Sequence, residues 1–146
     1  MIIIFASDHA GFSLKEKLMQ WLGDKKNVTL IDVGATTKNF SDDYPFFAAA
    51  GARAVLDTKN AKGIFVCGSG VGMAITANRF KGIRALQAEF AETVRRGCRE
   101  DHANVMVLGA RILSFAQAKK LVTVFLHTTP SRAARHAKRV QYIDQV

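Results

Sequence analysis

Short apolar runs rich in β-branched residues alternate with amphipathic stretches along the whole chain, and that alternation leaves few folds open. Ile2–Ala6 reads as a buried strand. Phe12–Leu22 reads as a helix: Leu14, Leu18, Trp21 and Leu22 share one side of a period of about 3.6 residues, with Lys15, Lys17 and Gln20 on the other. Val28–Val33 is a second strand, ended by Gly34. Pro45 opens the next helix, since a proline in the first turn gives up an N–H without a helical partner, and the alanine-rich stretch carries it through Leu56. Gly63–Val66 is a third strand, followed by a glycine-rich turn and the helix-like Met73–Phe80. Ile83–Leu86 and Val105–Leu108 are two more strands, with Glu89–Gly97 and Ser114–Leu126 as the helices that follow them. Thr128-Thr129-Pro130 breaks the chain before a last basic helix, Ser131 to Tyr142, polar enough to lie outside or against a second subunit.

Strand and helix in turn, at short spacing, require right-handed crossovers and a parallel sheet covered on both faces. The near-continuous apolar strands agree with such burial. The expected fold is α/β: a single Rossmann-like, doubly wound sheet of about five strands with helices on both faces, plus the C-terminal basic helix. The 146 residues suit one domain, 1–146, with no repeat or linker. No basic segment precedes the first apolar run and no stretch reaches the roughly 18 apolar residues of a membrane span, so the expectation is a cytoplasmic protein without membrane contact.

Cys67 and Cys98 are the only cysteines, too few for a disulfide framework, and neither has neighbours at metal-ligand spacing, so no metal site is expected. Cys98, between Gly97 and Arg99, reads as a buried small hydrophobe. The net charge of +9 asks for an anionic partner. The basic residues are not interleaved with aromatics as on a base-stacking surface, which argues against nucleic acid and leaves a small phosphorylated metabolite. Arg132, Arg135, Lys138 and Arg139, with His136 among them, read either as a solvated helix face or as a phosphate clamp.

Doubly wound sheets bind ligands beyond the C-terminal ends of their strands. Four motifs fall there: Ser7-Asp8-His9 after the first strand, Asp43-Tyr44-Pro45 after the second, Cys67-Gly68-Ser69-Gly70-Val71-Gly72 after the third and Arg111 after the fifth. The glycines let backbone approach a ligand and turn several N–H groups toward it, and the following helix adds its positive end. Two details argue against a dinucleotide fingerprint: the turn follows the third strand, and no acidic residue ends a strand about 20 residues on. A P-loop is excluded because no Lys-Ser or Lys-Thr follows the last glycine. What remains is an anion hole with a thiol at its lip: a base, beside donors for the charge of an enediolate. Nucleophilic catalysis by Cys67 is the rival, but no paired His stands nearby in sequence.

These residues resemble the ribose-5-phosphate isomerase B family, which also includes galactose-6-phosphate and allose-6-phosphate isomerases. The resemblance runs through Ser7–Gly11, Asp43–Pro45, Cys67–Ile75, Ala77–Arg79, Gly82–Ala85, Ala103–Val105, Leu108–Arg111 and Arg135–Val140, in order, over essentially the whole chain. It implies an aldose–ketose isomerase acting through a cis-enediol on ribose 5-phosphate and ribulose 5-phosphate. A six-carbon aldose 6-phosphate, or sugar-phosphate binding without catalysis, are the alternatives. It implies Cys67 as the base moving a proton between C1 and C2, and the amides of Gly68, Ser69, Gly70, Val71 and Gly72 around the enediolate. Asp8 and His9 would contact the sugar and help handle the ring, and Tyr44 would line the pocket. Arg111, Arg135 and Arg139, with His136, would hold the phosphate. No metal or organic cofactor is implied. The family's sites are shared between subunits, which implies a homodimer or dimer of dimers.

One stretch departs from the family pattern. The family carries Arg-Glu-His-Asn-Asp-Ala-Asn-Val before its fifth strand, and that His opens the furanose ring. Here the chain reads Arg99-Glu100-Asp101-His102-Ala103-Asn104-Val105. Aligned without a gap, the His position holds Glu100; with a one-residue deletion it holds Asp101. His102 is the expected replacement acid, because an imidazole changes charge near neutral pH, with Glu100 as the second choice.

Overall fold

A computed structural model describes residues 1–146. The elements alternate as expected: β1 Ile2–Ser7, α1 Phe12–Gly23, β2 Thr29–Asp32, α2 Tyr44–Asp57, β3 Lys62–Cys67, α3 Val71–Ala77, β4 Ala85–Gln87, α4 Ala91–Glu100, β5 Val105–Gly109, α5 Phe115–His127 and α6 Ala134–Ile143. The five strands form one parallel sheet in the order β2-β1-β3-β5-β4. β1 and β3 lie side by side, with Ser7 opposite Val66, so the ends of these two strands open onto the same ground.

Period-two alternation divides the strand side chains between two cores. Ile3, Phe5, Ile64, Val66, Met106 and Leu108 pack with Leu14, Leu18 and Leu22 of α1, Val94 and Cys98 of α4, and Leu121, Val122 and Phe125 of α5. Ile4, Ala6, Phe65, Cys67, Val105 and Val107 face the other way, onto Ala48, Ala52 and Val55 of α2 and Met73, Ala74 and Ala77 of α3. Each fully buried Ile, Leu, Val or Phe contributes about 1.5–3 kcal/mol relative to exposure, so a polar substitution in β1, β3 or β5 is costly on either face.

Burial on both faces holds for those three central strands and fails for β2, where Thr29, Ile31 and Asp32 are exposed. An edge strand of four residues has one neighbour and less helix cover. β4 starts at Ala85, later than the apolar run, because Gly82 takes a left-handed φ of 88° and the Ile83 N–H donates back to the Phe80 carbonyl. The same tight turn ends α3 at Ala77, before Phe80, with the Asn78 side chain bonded to both backbone groups of Ala85. α6 begins at Ala134 because Ala133 is extended and gives its N–H to Ser131 Oγ. No helix is long and apolar enough to cross a membrane.

Cys98 is 1% exposed, as a small core residue should be. Burial pushes its thiol up from the ordinary value and pushes the Lys62 ammonium down. Lys62 Nζ donates to the Phe125 carbonyl at 2.8 Å.

Candidate active site

The candidate residues fall into two groups at opposite ends of the sheet. Cys67, the glycine turn, Asp8, His9, Tyr44 and Arg111 lie at the C-terminal ends of the strands. Cys67 closes β3 and is 4% exposed. Its Sγ accepts the Gly70 N–H at 3.2 Å. Gly70 reaches that position with a left-handed φ of 86°, and a Cβ there would also lie a tight 3.2 Å from the Leu108 backbone, so alanine would be strained and crowded. The Val71 N–H is taken by Ser69 Oγ at 3.3 Å. The amides of Ser69, Gly72 and Met73 donate to no other group of the chain, which leaves them for an anion beside Cys67.

The walls press close on this turn. A Cβ on Gly72 would lie 2.5 Å from the Tyr44 ring, which puts that ring, at the start of α2, close against the turn. A Cβ on Gly68 would lie 3.3 Å from the Arg111 guanidinium. The Ala110 and Arg111 N–H groups donate to the Cys67 and Gly68 carbonyls at 2.8 and 3.0 Å, lacing the end of β5 to the turn. On the other side Gly11 abuts β3: a Cβ there would sit 2.0 Å from the Val66 carbonyl oxygen, so the loop carrying Asp8 and His9 is held against the strand that ends in Cys67. Asp8, 5% exposed, accepts the Gly11 N–H at 2.9 Å and so shapes that loop.

The second group lies where α4 runs back to the start of β5. Asn104 accepts the Gly63 N–H at the beginning of β3, which fixes this stretch at the N-terminal edge. β3 has 6 residues, so at about 3.3 Å each the two ends are on the order of 16 Å apart. Glu100, Arg135 and His136 line a wholly polar cleft of about 250 Å³ with Glu92, Arg95, Arg96 and Arg99. The Arg96 and Arg95 guanidiniums hold the Glu92 carboxyl below its usual range. His136 is 5% exposed; its Nε2 accepts from Arg135 Nε at 3.2 Å and its Nδ1 is buried without a partner. Arg139 is exposed on the same helix.

Asp101 parts from Glu100 and faces a separate, larger cleft of about 750 Å³ with Arg79, Lys81, Arg84 and Asp144. That cleft is remote from Cys67, and its size does not make it the reaction site. His102 sits in a left-handed conformation, φ 52°, with Nε2 at 3.0 Å from the Ser131 carbonyl. One chain therefore does not bring Cys67 together with Glu100, His102 or the α6 arginines.

Sequence reasoning passed over Asp42. Its Oδ1 lies 2.6 Å from His9 Nδ1 and accepts the His9 N–H at 3.0 Å, while Oδ2 is buried without a partner. The only signal was an acidic pair, Asp42-Asp43, before Tyr44. Lys15 falls on the polar side of α1 by sequence period, yet it is fully buried, bonded to Asp32 and to the Ala35 carbonyl, where it pins the end of β2 beside the site.

The sequence profile of the Ribose/Galactose Isomerase family matches residues 3–143. Ribose-5-phosphate isomerase B of Mycolicibacterium paratuberculosis is 34% identical over 145 residues, 99% of this chain and 91% of the relative. The crystal structure of a ribose 5-phosphate isomerase from Thermotoga maritima superposes with a TM-score of 0.92 at 38% identity, covering 99% of this chain and 98% of that one. The structure of ribose-5-phosphate isomerase B from Mycoplasma genitalium with bound ribulose-5-phosphate superposes with a TM-score of 0.90 at 32% identity, covering 99% and 94%. A match over nearly the full length, on the same parallel sheet, shows that this chain belongs to the ribose/galactose isomerase family.

Proposed function

We propose that the protein interconverts ribose 5-phosphate and ribulose 5-phosphate, with Cys67 carrying the proton between C1 and C2. The observation that carries this reading is Cys67 Sγ held by the Gly70 N–H at 3.2 Å in a turn whose neighbouring amides are free. A thiolate there removes the C2 proton of the open-chain aldose, and the free amides take the enediolate oxygen. The hydroxyl proton on O2 passes to O1, and return of the carbon-bound proton to C1 gives the ketose. The relative from Mycoplasma genitalium, with its bound ribulose-5-phosphate, supports the five-carbon substrate.

Two copies complete the site in this reading. The C-terminal end of one sheet supplies Cys67, the amides, Asp8, His9, Tyr44 and Arg111. The partner's far end supplies Glu100, His102 and the phosphate-holding Arg135, His136 and Arg139, where the unpartnered His136 Nδ1 offers a further donor. The opposite placement of these groups and the apolar face of α3, with Val71 45% and Ile75 63% exposed, both favour a homodimer. The activity belongs in the cytoplasm, since charged sugar phosphates do not cross a bilayer unaided.

A turnover panel of purified protein with ribose 5-phosphate, allose 6-phosphate and galactose 6-phosphate tests the assignment. The five-carbon substrate is expected to have the highest kcat/KM, by about 10-fold or more, because a pocket fitted to one sugar excludes an extra carbon by contact. Preference for a six-carbon substrate would support the alternative within the family. No turnover of any would favour a binding protein without catalysis.

A further inference from the structure

We infer that His9, held by Asp42, delivers the proton that opens the sugar ring. This rests on the isomerase reading above and assigns a step that the altered segment before β5 leaves without its usual acid. Asp42 grips His9 at two points, the ring Nδ1 at 2.6 Å and the backbone N–H at 3.0 Å, both through Oδ1. A carboxylate only accepts, so Nδ1 carries a proton and Nε2 becomes the atom that gives and takes one. The Phe40 ring, with centroids 5.5 Å apart, covers part of the imidazole. The pair is largely shielded, with side-chain exposures of 22% for His9 and 11% for Asp42. The contact of Gly11 with the Val66 carbonyl holds this loop beside the strand that ends in Cys67, so the dyad sits in the half-site where the carbon chemistry takes place.

His102 is less well equipped for the task. Its Nε2 faces the Ser131 carbonyl, which uses the donor of the neutral ring. In the step assigned to His9, protonated Nε2 gives its proton to the ring oxygen. The C1–O bond breaks with its electron pair going to that oxygen. The anomeric hydroxyl releases its proton to water as C1 becomes the aldehyde, and water returns a proton to His9. Atoms and charge balance without any other reactant.

Asp42 is a positioning residue in this scheme, and the test separates ring opening from carbon chemistry. Asp42→Asn keeps the side chain's shape and removes its charge. Two rates are measured on the same preparation: net isomerisation of ribose 5-phosphate, and uptake of solvent deuterium into ribulose 5-phosphate, which has no furanose ring to open. The ratio of isomerisation to uptake is expected to fall by about 10-fold or more in Asp42→Asn, within the usual range for a positioned acid. Asp42→Glu, which retains a carboxylate, is expected to restore most of the ratio. An unchanged ratio, or a parallel fall of both rates, would overturn the role of the dyad. Absence of deuterium uptake by the unaltered protein would instead overturn the isomerase reading beneath it.

Discussion

Cys67→Ala abolishes isomerisation of ribose 5-phosphate, with a loss of about 10²–10⁴ in kcat or more, while the protein stays folded and still binds the sugar phosphate. Alanine fits the space: Cys67 is a small member of the core shared by α2 and α3, and its neighbours in β3, Phe65 and Val66, keep their own contacts. What disappears is Sγ, the acceptor of the Gly70 N–H and the group placed to take a proton from carbon. In the proposed site the phosphate is held by Arg111 and by the partner's α6, away from Sγ, so KM is expected to move far less than kcat. Stopped assays of ketose formation, with circular dichroism to check folding, decide the matter. Near-normal turnover in a folded Cys67→Ala protein would remove Cys67 from the mechanism.

Two inactive variants made together restore activity. Cys67→Ala damages the C-terminal end of the sheet, and the double variant Arg135→Ala, Arg139→Ala damages the opposite end, on the order of 16 Å away along β3. If each site uses one end from each subunit, a mixed dimer carries one site with both defects and one site with neither. Random pairing makes half the dimers mixed, so co-expressed variants should recover about a quarter of unaltered activity. Differently tagged copies, purified through both tags, should reach about half. If all residues of a site came from one chain, every site in the mixture would carry a defect and activity would stay at the level of the separate variants.

The glycine turn was legible because its geometry constrains residue type: a left-handed φ of 86° at Gly70 and the Tyr44 ring against Gly72 leave little besides glycine. Strand identity was legible for the same reason that the two cores separate, since alternate residues of β1, β3 and β5 are apolar on both faces. The exposure of β2 was not, because Thr29-Leu30-Ile31 is composed like a buried strand and only its place at the sheet edge leaves it open. Nor was Asp42. Two adjacent aspartates look alike in sequence, and which one reaches back 33 residues to His9 depends on the path of the loop from β2. Lys15 misled in the opposite way: a lysine on an amphipathic helix reads as solvated, yet its reach to Asp32 and Ala35 buries it. The split of the candidate residues between two ends of the sheet follows from topology, since α4 must return the chain to where β5 begins, and motif order alone hides it.

In the proposed reaction Cys67 transfers the proton through an enediolate, and the fate of one hydrogen tests this step. Ribose 5-phosphate is turned over in deuterium oxide and the ribulose 5-phosphate formed is examined by mass spectrometry and NMR. A base at Cys67 that lifts the C2 proton exchanges it with solvent, so deuterium should accumulate at C1 of the ketose made by the unaltered protein, while Cys67→Ala should form almost no ketose. Full conversion with no deuterium at C1, even after many forward and reverse turnovers, would contradict proton transfer through a solvent-exchanging base at Cys67.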